Sequence, residues 1–380
     1  MSRNFGDHQF GIYLAGMLEG RTPKLTTDLA RLEERAREAL SPEAFGYVVP
    51  SAGSGSTARA NREAFERWRI VPRMLRGVAR QRDLSCEVLG TGMAAPVMVA
   101  PMGVQTLAHP DGELATVRAA AELGVPYIHS TAAAHSFEQV AEAGGDAERW
   151  YQLYWPTDQD VCVSFLHRAK AAGFSVLVVT LDTALLGWRP ADLDRGFLPF
   201  LNGTGLANYL TDPHFQGVDN PILHWAQMFA NPGLTWEDLP FLREHWDGPI
   251  VLKGIVSAED ARLAADHGMD GIVVSNHGGR QVDGGLGALD ALPAIAEAVG
   301  DRLQVLFDSG VRTGADVVKA LALGARAVLV GRPILYGLAL DGQAGVEHVL
   351  RCLLGELDVT LALSGYSSPA ELGPGSLLAR

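Results

Sequence analysis

The chain is expected to fold as an α/β protein of the (β/α)8, or TIM-barrel, class, with an N-terminal helical segment and a long lid insertion after the fourth strand. Three observations carry this expectation. Eight short runs from Pro96 onward are each too apolar to face water. Helix-like segments separate most of them, as in a parallel barrel. No glycine-rich dinucleotide fingerprint follows the first run, which counts against the commonest form of the competing doubly wound open sheet.

Residues 1–25 show no strong period and are expected to form an arm. Thr26 or Thr27 is placed to cap a helix through about Leu40, with Leu29, Leu32, Ala36 and Leu40 near helical spacing. Phe45-Gly46-Tyr47-Val48-Val49-Pro50 follows, then a Ser/Gly-rich stretch to Gly55 and a charged helix over 57–67. Barrel strands are read at 97–101, 127–131, 150–154, 176–182, 250–254, 272–276, 305–310 and 327–332. Helices are read at 112–123, 137–143, 159–172, 258–267 and 315–323, with Ser257-x-x-Asp260 and Thr313-x-x-Asp316 as capping-box starts. Between the fourth and fifth strands lie residues 183–249, far longer than a simple crossover. Their aromatic content favours a lid over about 183–235, and Thr235-Trp236-Glu237-Asp238 opens the helix that restores the alternation. A single domain over 1–380 is expected: an N-terminal segment 1–95, the barrel 96–340 and C-terminal helices 341–380.

Hydrophobic residues make up 47% and charged residues 20%, a soluble globular balance. A net charge of -13 argues against a nucleic-acid or anionic-membrane surface, although arginines can dominate one cleft locally. Cys86, Cys162 and Cys352 have neither metal-ligand spacing nor a disulfide pattern, so no metal site is expected. The first residues lack a signal peptide's apolar core, and no apolar run approaches a membrane span; cytoplasm is the expectation.

Residues at the C-terminal ends of barrel strands meet in space. Here those ends carry Gln152 and Tyr154, Thr180 and Asp182, Lys253, Ser275 and His277, Asp308 and Arg312, and Gly331 and Arg332. The run from Met269 to Gln281 is the most informative: a buried strand breaks into Ser275-Asn276-His277-Gly278-Gly279-Arg280. His277 offers a proton acceptor near neutral pH, Arg280 a planar cation for a carboxylate or phosphate, and the glycines room for a flat ligand. The plain alternative is a strand-to-loop turn whose histidine bonds locally. Asp182 can orient His277, or simply cap a helix. Lys253, after Ile-Val-Leu, needs an anionic neighbour; a Schiff-base lysine of a barrel aldolase is the alternative. Asp308-Ser309-Gly310-Val311-Arg312 and Gly331-Arg332-Pro333 fit a phosphate site after strands seven and eight. These residues alone suggest a phosphate-bearing ligand, a histidine base and an arginine-bound acid, with flavin fitting better than nicotinamide.

Together, Ser275–Gln281, Asp308–Arg312 and Gly331-Arg332-Pro333 resemble the FMN-dependent L-2-hydroxy-acid oxidase family, from about Tyr47 to the C-terminal region. Gly187-Trp188-Arg189-Pro190, with the Phe-Leu-Pro-Phe-Leu and Asn-Tyr-Leu-Thr-Asp-Pro segments of the insertion, is most similar to the lactate 2-monooxygenase branch. The resemblance implies His277 as base with Asp182 as its partner. It implies Arg280 and Arg189 on the substrate carboxylate with Tyr47, Tyr154 on the hydroxyl, and Tyr209 in the closing lid. The flavin would lie over Ala100, Pro101, Met102 and Gly103 and touch Ser130, Gln152, Thr180 and Ser275, with Lys253 near its N1 and C2 carbonyl. Asp308 would bind the ribityl chain, and Gly310, Arg312, Gly331 and Arg332 would surround the phosphate.

Two departures are expected to matter: Val48-Val49-Pro50-Ser51 replaces a glycine-rich sequence after the first tyrosine, and Gly103 is expected to leave space that affects oxygen access. The implied reaction oxidises an L-2-hydroxy acid, lactate above others, with FMN and O2, followed by decarboxylation in place if the lid retains the oxo acid. Mandelate is the larger-substrate alternative, with release of the 2-oxo acid and H2O2. An acceptor-dependent dehydrogenase, a lysine aldolase and a non-catalytic flavin-binding protein are further alternatives. The resemblance also implies a homotetramer or homo-octamer.

Overall fold

The computed structural model describes residues 4–78 and 82–380. Eight parallel strands close into a barrel in sequence order. They are β1 (Val97–Val99), β2 (Tyr127–Ser130), β3 (Arg149–Leu153), β4 (Leu177–Thr180), β5 (Ile250–Ile255), β6 (Gly271–Val274), β7 (Gln304–Phe307) and β8 (Ala327–Val330). Closure is made by β8 on β1, with Val328 opposite Val97 and Val330 opposite Val99. The two-residue period of a strand sorts its side chains into two layers. Met98, Ile128, Trp150, Val178, Val251, Val273, Leu306 and Leu329 pack together inside the barrel. Their neighbours, among them Val97, Tyr151, Leu252 and Phe307, pack with the helices. Both faces are dry, which is why each strand reads as a continuous apolar run.

A hairpin of Cys86–Val88 and Thr91–Met93 closes the N-terminal end of the barrel. Val88 and Met93 join the inner layer, and Trp150 Nε1 donates to Thr91 Oγ1 at 2.8 Å. Leu89 and Gly90 supply the two positive φ angles that a tight hairpin turn needs, 52° and 78°. With that end plugged, the C-terminal end is where a ligand can enter.

Each strand is followed by a helix: α1 (Gly112–Glu122), α2 (Phe137–Gly144), α3 (Gln159–Ala171), α4 (Leu239–His245), α5 (Ala258–Asp266), α6 (Ala288–Val299), α7 (Gly314–Ala322) and α8 (Arg332–Leu363). The last is broken at Asp341 and Gly342, whose dihedrals are not helical. Thr313 and Asp316 form the reciprocal cap expected at α7. Ser257 caps α5 by accepting from Glu259 N and Asp260 N.

The N-terminal segment departs from expectation. Asp7–Glu19 is a helix rather than an irregular arm, but it has no fully buried residue and leaves Phe10, Tyr13, Met17 and Leu18 exposed. Without a buried stripe the apolar period carries no clear signal. The next helical stretch begins later than expected, because the Asp28 carboxylate, not a threonine, caps it through Ala30 N. Pro42–Val48 is a further helix, capped by Ser41 with proline in its first turn, and it carries Tyr47.

The insertion after β4 is folded into short helical turns and docked on the barrel wall. Asn208, fully buried, donates to Ser130 O and Thr131 O and accepts from Phe137 N, tying the insertion to β2 and α2. Tyr209 packs against Phe165 of α3, with ring centroids 4.8 Å apart. Leu185 and Trp188 remain exposed at the start of the insertion. Among the described residues no helix is long and apolar enough to cross a membrane.

Candidate active site

One cleft opens at the C-terminal end of the barrel, lined from β1, β3, β5, β6, β7, β8, the insertion and the helix of Tyr47. His277 stands at its centre with φ +56°, a left-handed conformation uncommon for a non-glycine residue. Val104 and Ser309, also on the lining, share that feature at φ 50° and 80°. Strain of this kind persists only where surrounding contacts hold it. Here the holding contacts are visible. Ser309 Oγ accepts from Asn276 N and Gly278 N at 3.2 and 3.0 Å, and Ser275 Oγ accepts from His277 N at 3.1 Å. Asn276 and Asn61 exchange paired amide hydrogen bonds of 2.8 and 2.7 Å, fastening the loop to the N-terminal segment. Gly279 is required because a Cβ there would approach Ala58 N to 2.7 Å.

His277 Nδ1 lies 2.9 Å from Asp182 Oδ1. Burial acts to raise the Asp182 carboxyl, but His277 and Lys253 outweigh it, so the group sits below its ordinary value and is ionised. An ionised partner fixes the proton on Nδ1 and leaves Nε2 as an acceptor. Burial of the imidazole outweighs the attraction of Asp182 and holds His277 below its ordinary value, with Lys253 and Arg189 acting in the same sense. The ring is therefore neutral near pH 7 and competent as a base. Gly254 makes this placement possible, since its Cβ would come within 2.9 Å of Asp182 Cβ.

Lys253 is buried, 3.2 Å from Asp308 Oδ2 and 3.1 Å from Ser275 Oγ. Burial would lower its pKa, but Asp308 and Asp182 reverse the sign and hold the ammonium above its ordinary value. A Schiff-base lysine needs a neutral amine. The aldolase alternative loses its chemistry here.

The carboxylate end of the cleft is formed by Tyr47, Arg189 and Arg280. Arg280 lies over the Tyr47 ring at 5.3 Å and donates to Pro50 O at 2.8 Å. Arg189 donates to Arg280 O at 3.0 Å and Gln281 Oε1 at 2.7 Å. The segment after Tyr47 therefore does not block the mouth; its carbonyls orient an arginine. Burial, then Arg189, push Arg280 down to about 9, so it stays charged at neutral pH. Arg332 shares Pro50 O with Arg280 and donates to Gly278 O, and Arg312, beside it, donates to Val311 O. All of these acceptors are neutral oxygens. Four cations facing one cleft with only neutral acceptors for these bonds make the cleft anion-binding.

Ala100, Pro101, Met102 and Gly103 line one wall, and Gly310 and Gly331 line the cleft with Arg312 and Arg332. Tyr154 lines the cleft and is partly buried. Ser130, Gln152, Thr180 and Ser275 are buried at strand ends beneath it. Two placements correct the sequence reading. Tyr209 does not line the cleft: it is fully buried between Phe165 and Phe215. Gly103 does not leave free space, because a Cβ there would meet Ala132 O at 2.5 Å. Sequence reasoning missed Ser309, whose only signal was its place between Asp308 and Gly310. It also missed Phe229, which lines the cleft from the insertion and belongs to no motif, and it gave no site role to Phe200 of the Phe-Leu-Pro-Phe-Leu segment, which lines the cleft as well.

The site fits a flavin mononucleotide. Gln152 Nε2 and Arg332 Nε are buried with no partner. Such orphans at a cleft are explained by a polar ligand. Lys253 and Asp308 add an ammonium and a carboxylate to the arginines of the cleft, a set suited to a polar ring, a polyol chain and a phosphate.

Residues 36–379 match the family described as FMN-dependent dehydrogenase. An FMN-dependent alpha-hydroxy acid dehydrogenase of Penicillium citrinum is 48% identical, the match covering 97% of this chain and 94% of that one. An L-lactate oxidase of Lysinibacillus sphaericus is 45% identical, with 89% of each chain covered. The crystal structure of a mandelate oxidase superposes with a TM-score of 0.84 at 40% identity, covering 94% of this chain and 99% of that one. A closed barrel, an imidazole backed by a carboxylate, an arginine-rich cleft and a match over nearly the whole length lead to one conclusion: the chain belongs to the FMN-dependent dehydrogenase family of 2-hydroxy-acid-oxidising enzymes, with FMN as its cofactor.

Proposed function

We propose that the protein oxidises an L-2-hydroxy acid to the 2-oxo acid and delivers the electrons to O2. The observation that carries this reading is the His277–Asp182 pair, 2.9 Å apart, in the same cleft as Arg189 and Arg280. The two guanidiniums hold the carboxylate, with Tyr47 beside them. Tyr154 hydrogen-bonds the substrate hydroxyl, and His277 takes a proton at Nε2 while Asp182 stabilises the resulting imidazolium. FMN, held by Lys253, Asp308, Arg312 and Arg332, would supply the two-electron acceptor that O2 reoxidises. Lys253 keeps a positive charge at the cofactor site.

The side chain of the acid is proposed to be larger than a methyl group. Tyr47 meets Phe200 at 6.4 Å between centroids, Phe200 meets Phe229 at 5.7 Å, and Phe229 meets Tyr154 at 5.6 Å. The two tyrosines are thus joined by an apolar wall that lactate does not fill. This supports mandelate or a longer aliphatic acid over the lactate favoured by the sequence. The fold of the insertion supports a further step, decarboxylation in place. Arg189 joins the insertion to the His277 loop, so a bound acid holds the mouth closed over the oxo acid and H2O2 formed beside it. Their reaction gives the acid shortened by one carbon, CO2 and water. The exposed apolar residues of the Asp7–Glu19 helix support assembly into tetramers or octamers, readable by light scattering.

Anaerobic mixing of the holoprotein with a series of 2-hydroxy acids tests the reading. Flavin bleaching is expected with kcat/KM rising about fourfold per added methylene, and Phe229→Ala is expected to lower the mandelate-to-lactate ratio about tenfold. No bleaching by any 2-hydroxy acid would sink the proposal. On readmitting O2, equal yields of H2O2 and oxo acid indicate the oxidase outcome; CO2 and the shortened acid indicate decarboxylation.

The pH dependence follows from the site. A base must be unprotonated to work, and His277 is held below 6.5 mainly by burial. The kcat/KM for bleaching is therefore expected to fall on acidification through a midpoint below 6.5. Asp182→Asn removes an interaction that raises this value, so the midpoint should move lower still as the rate drops. An upward shift in that variant would contradict the assignment.

A further inference from the structure

Glu113 is fully buried in the first turn of α1, and the chemistry above makes no use of it. A carboxylate out of water requires donors that converge on it. These donors do not come from its own helix. Oε1 accepts from Gln105 N at 3.2 Å and from Ala134 N at 3.0 Å, and Oε2 lies 2.8 Å from His135 Nδ1. Helix capping is therefore not its role. Gln105 follows Met102, Gly103 and Val104, and Ala134 follows Ala132; all four of these preceding residues line the cleft. One carboxylate thus clamps two loops that form one wall of the site.

The clamp reaches that wall through Gln105, which is itself buried. Its Nε2 donates to Met102 O at 3.1 Å and to Tyr127 Oη at 3.2 Å, and its Oε1 accepts from Thr116 Oγ1 at 2.6 Å. The two loops also meet directly, Val104 N donating to Ala132 O at 2.9 Å. Val104 is one of the residues held at positive φ, so the loop carries local strain that these contacts must offset.

We propose that Glu113, acting through Gln105, is a positioning residue that pre-forms the Pro101–Val104 wall for FMN. The inference rests on the reading that this wall receives the flavin ring. Geometry also predicts how variants divide. In Glu113→Gln the amide oxygen can take the place of Oε1 and keep both backbone donors, losing only the charged acceptor for His135. In Glu113→Ala all three contacts go.

The test is FMN binding to apoprotein, followed by quenching of flavin fluorescence, with the absorption spectrum of the bound flavin as a second readout. Glu113→Ala is expected to raise the FMN Kd at least tenfold and to shift the spectrum, whereas Glu113→Gln should stay within about threefold of the parent. Should Glu113→Ala fail to fold, Gln105→Leu cuts the link to Met102 O while leaving the carboxylate and its donors, and the same changes are expected. A merely structural role would lower Tm in these variants without moving Kd or spectrum in the folded protein. Folded variants that bind FMN like the parent would overturn the inference alone. A parent chain that takes up no FMN would overturn the flavin reading as well.

Discussion

His277→Ala is expected to slow substrate-driven bleaching of bound FMN about 10³-fold, within the 10²–10⁴ range of a general base. The imidazole is a basic group in the cleft that is both neutral near pH 7 and hydrogen-bonded to an ionised carboxylate, 2.9 Å away. Lys253 stays protonated through Asp308 and Asp182, and burial raises Tyr154 further above its ordinary value, so neither replaces the lost acceptor. FMN should remain bound, because Lys253, Asp308, Arg312 and Arg332 are untouched. Two side effects need separating from the loss of the base. The Asp182 carboxylate, whose Oδ2 already lacks a partner, would lose its imidazole, lowering stability. Alanine is also less at ease than asparagine at φ +56°. His277→Asn keeps a residue suited to that backbone and should be as slow as the alanine variant. Unchanged bleaching in either, measured by anaerobic stopped flow, would remove His277 from the mechanism.

Which parts of this site could be read from sequence follows from how local the physics is. The eight strands are legible because burial on both faces leaves an uninterrupted apolar run in the residues themselves. Residues placed by strand ends, such as Lys253, His277 and Asp308, are legible for the same reason: once the strand is known, its end is known. What depends on distant backbone is not. The sequence around Gly103 shows a glycine, but only the fold shows Ala132 O filling the place of its Cβ. Tyr209 reads as one more polar aromatic in a lid, yet it faces Phe165 of α3 because Asn208 beside it is bonded to the end of β2. Phe229 sits in no motif, and its place in the wall comes from how the insertion doubles back over the barrel. The Asp7–Glu19 helix was hidden for the opposite reason. It has no fully buried residue, so no periodic pattern marks it.

Replacement of Arg280 should separate binding from stability in a way few buried charges allow. Removing one member of a buried, hydrogen-bonded charge pair costs about 2–5 kcal/mol, or roughly 30- to 4000-fold in binding. Arg280→Leu is therefore expected to raise KM by that order, provided the missing partner is the substrate carboxylate. Ordinarily such a change also weakens the fold, because the abandoned charge is protein. Here it is not. The acceptors of Arg280 are Val48 O and Pro50 O, which are neutral, and the repulsion from Arg189 and Arg332 outweighs the weaker attraction of the Asp192 carboxyl. Losing the guanidinium relieves that repulsion, which offsets the two lost hydrogen bonds, and Asp192 keeps Arg189 and Arg195 as positive neighbours, so Tm without ligand should fall by no more than a few degrees, roughly the 1 kcal/mol scale. Arg280→Lys should not rescue binding fully, since a point charge cannot reproduce the planar fork. The parent should gain Tm with a non-reacting carboxylate such as a 2-oxo acid, and Arg280→Leu should not. A leucine variant with unchanged KM would place the carboxylate elsewhere. A large loss of Tm in the ligand-free leucine variant would mean instead that this arginine has an internal partner and that the slot is structural.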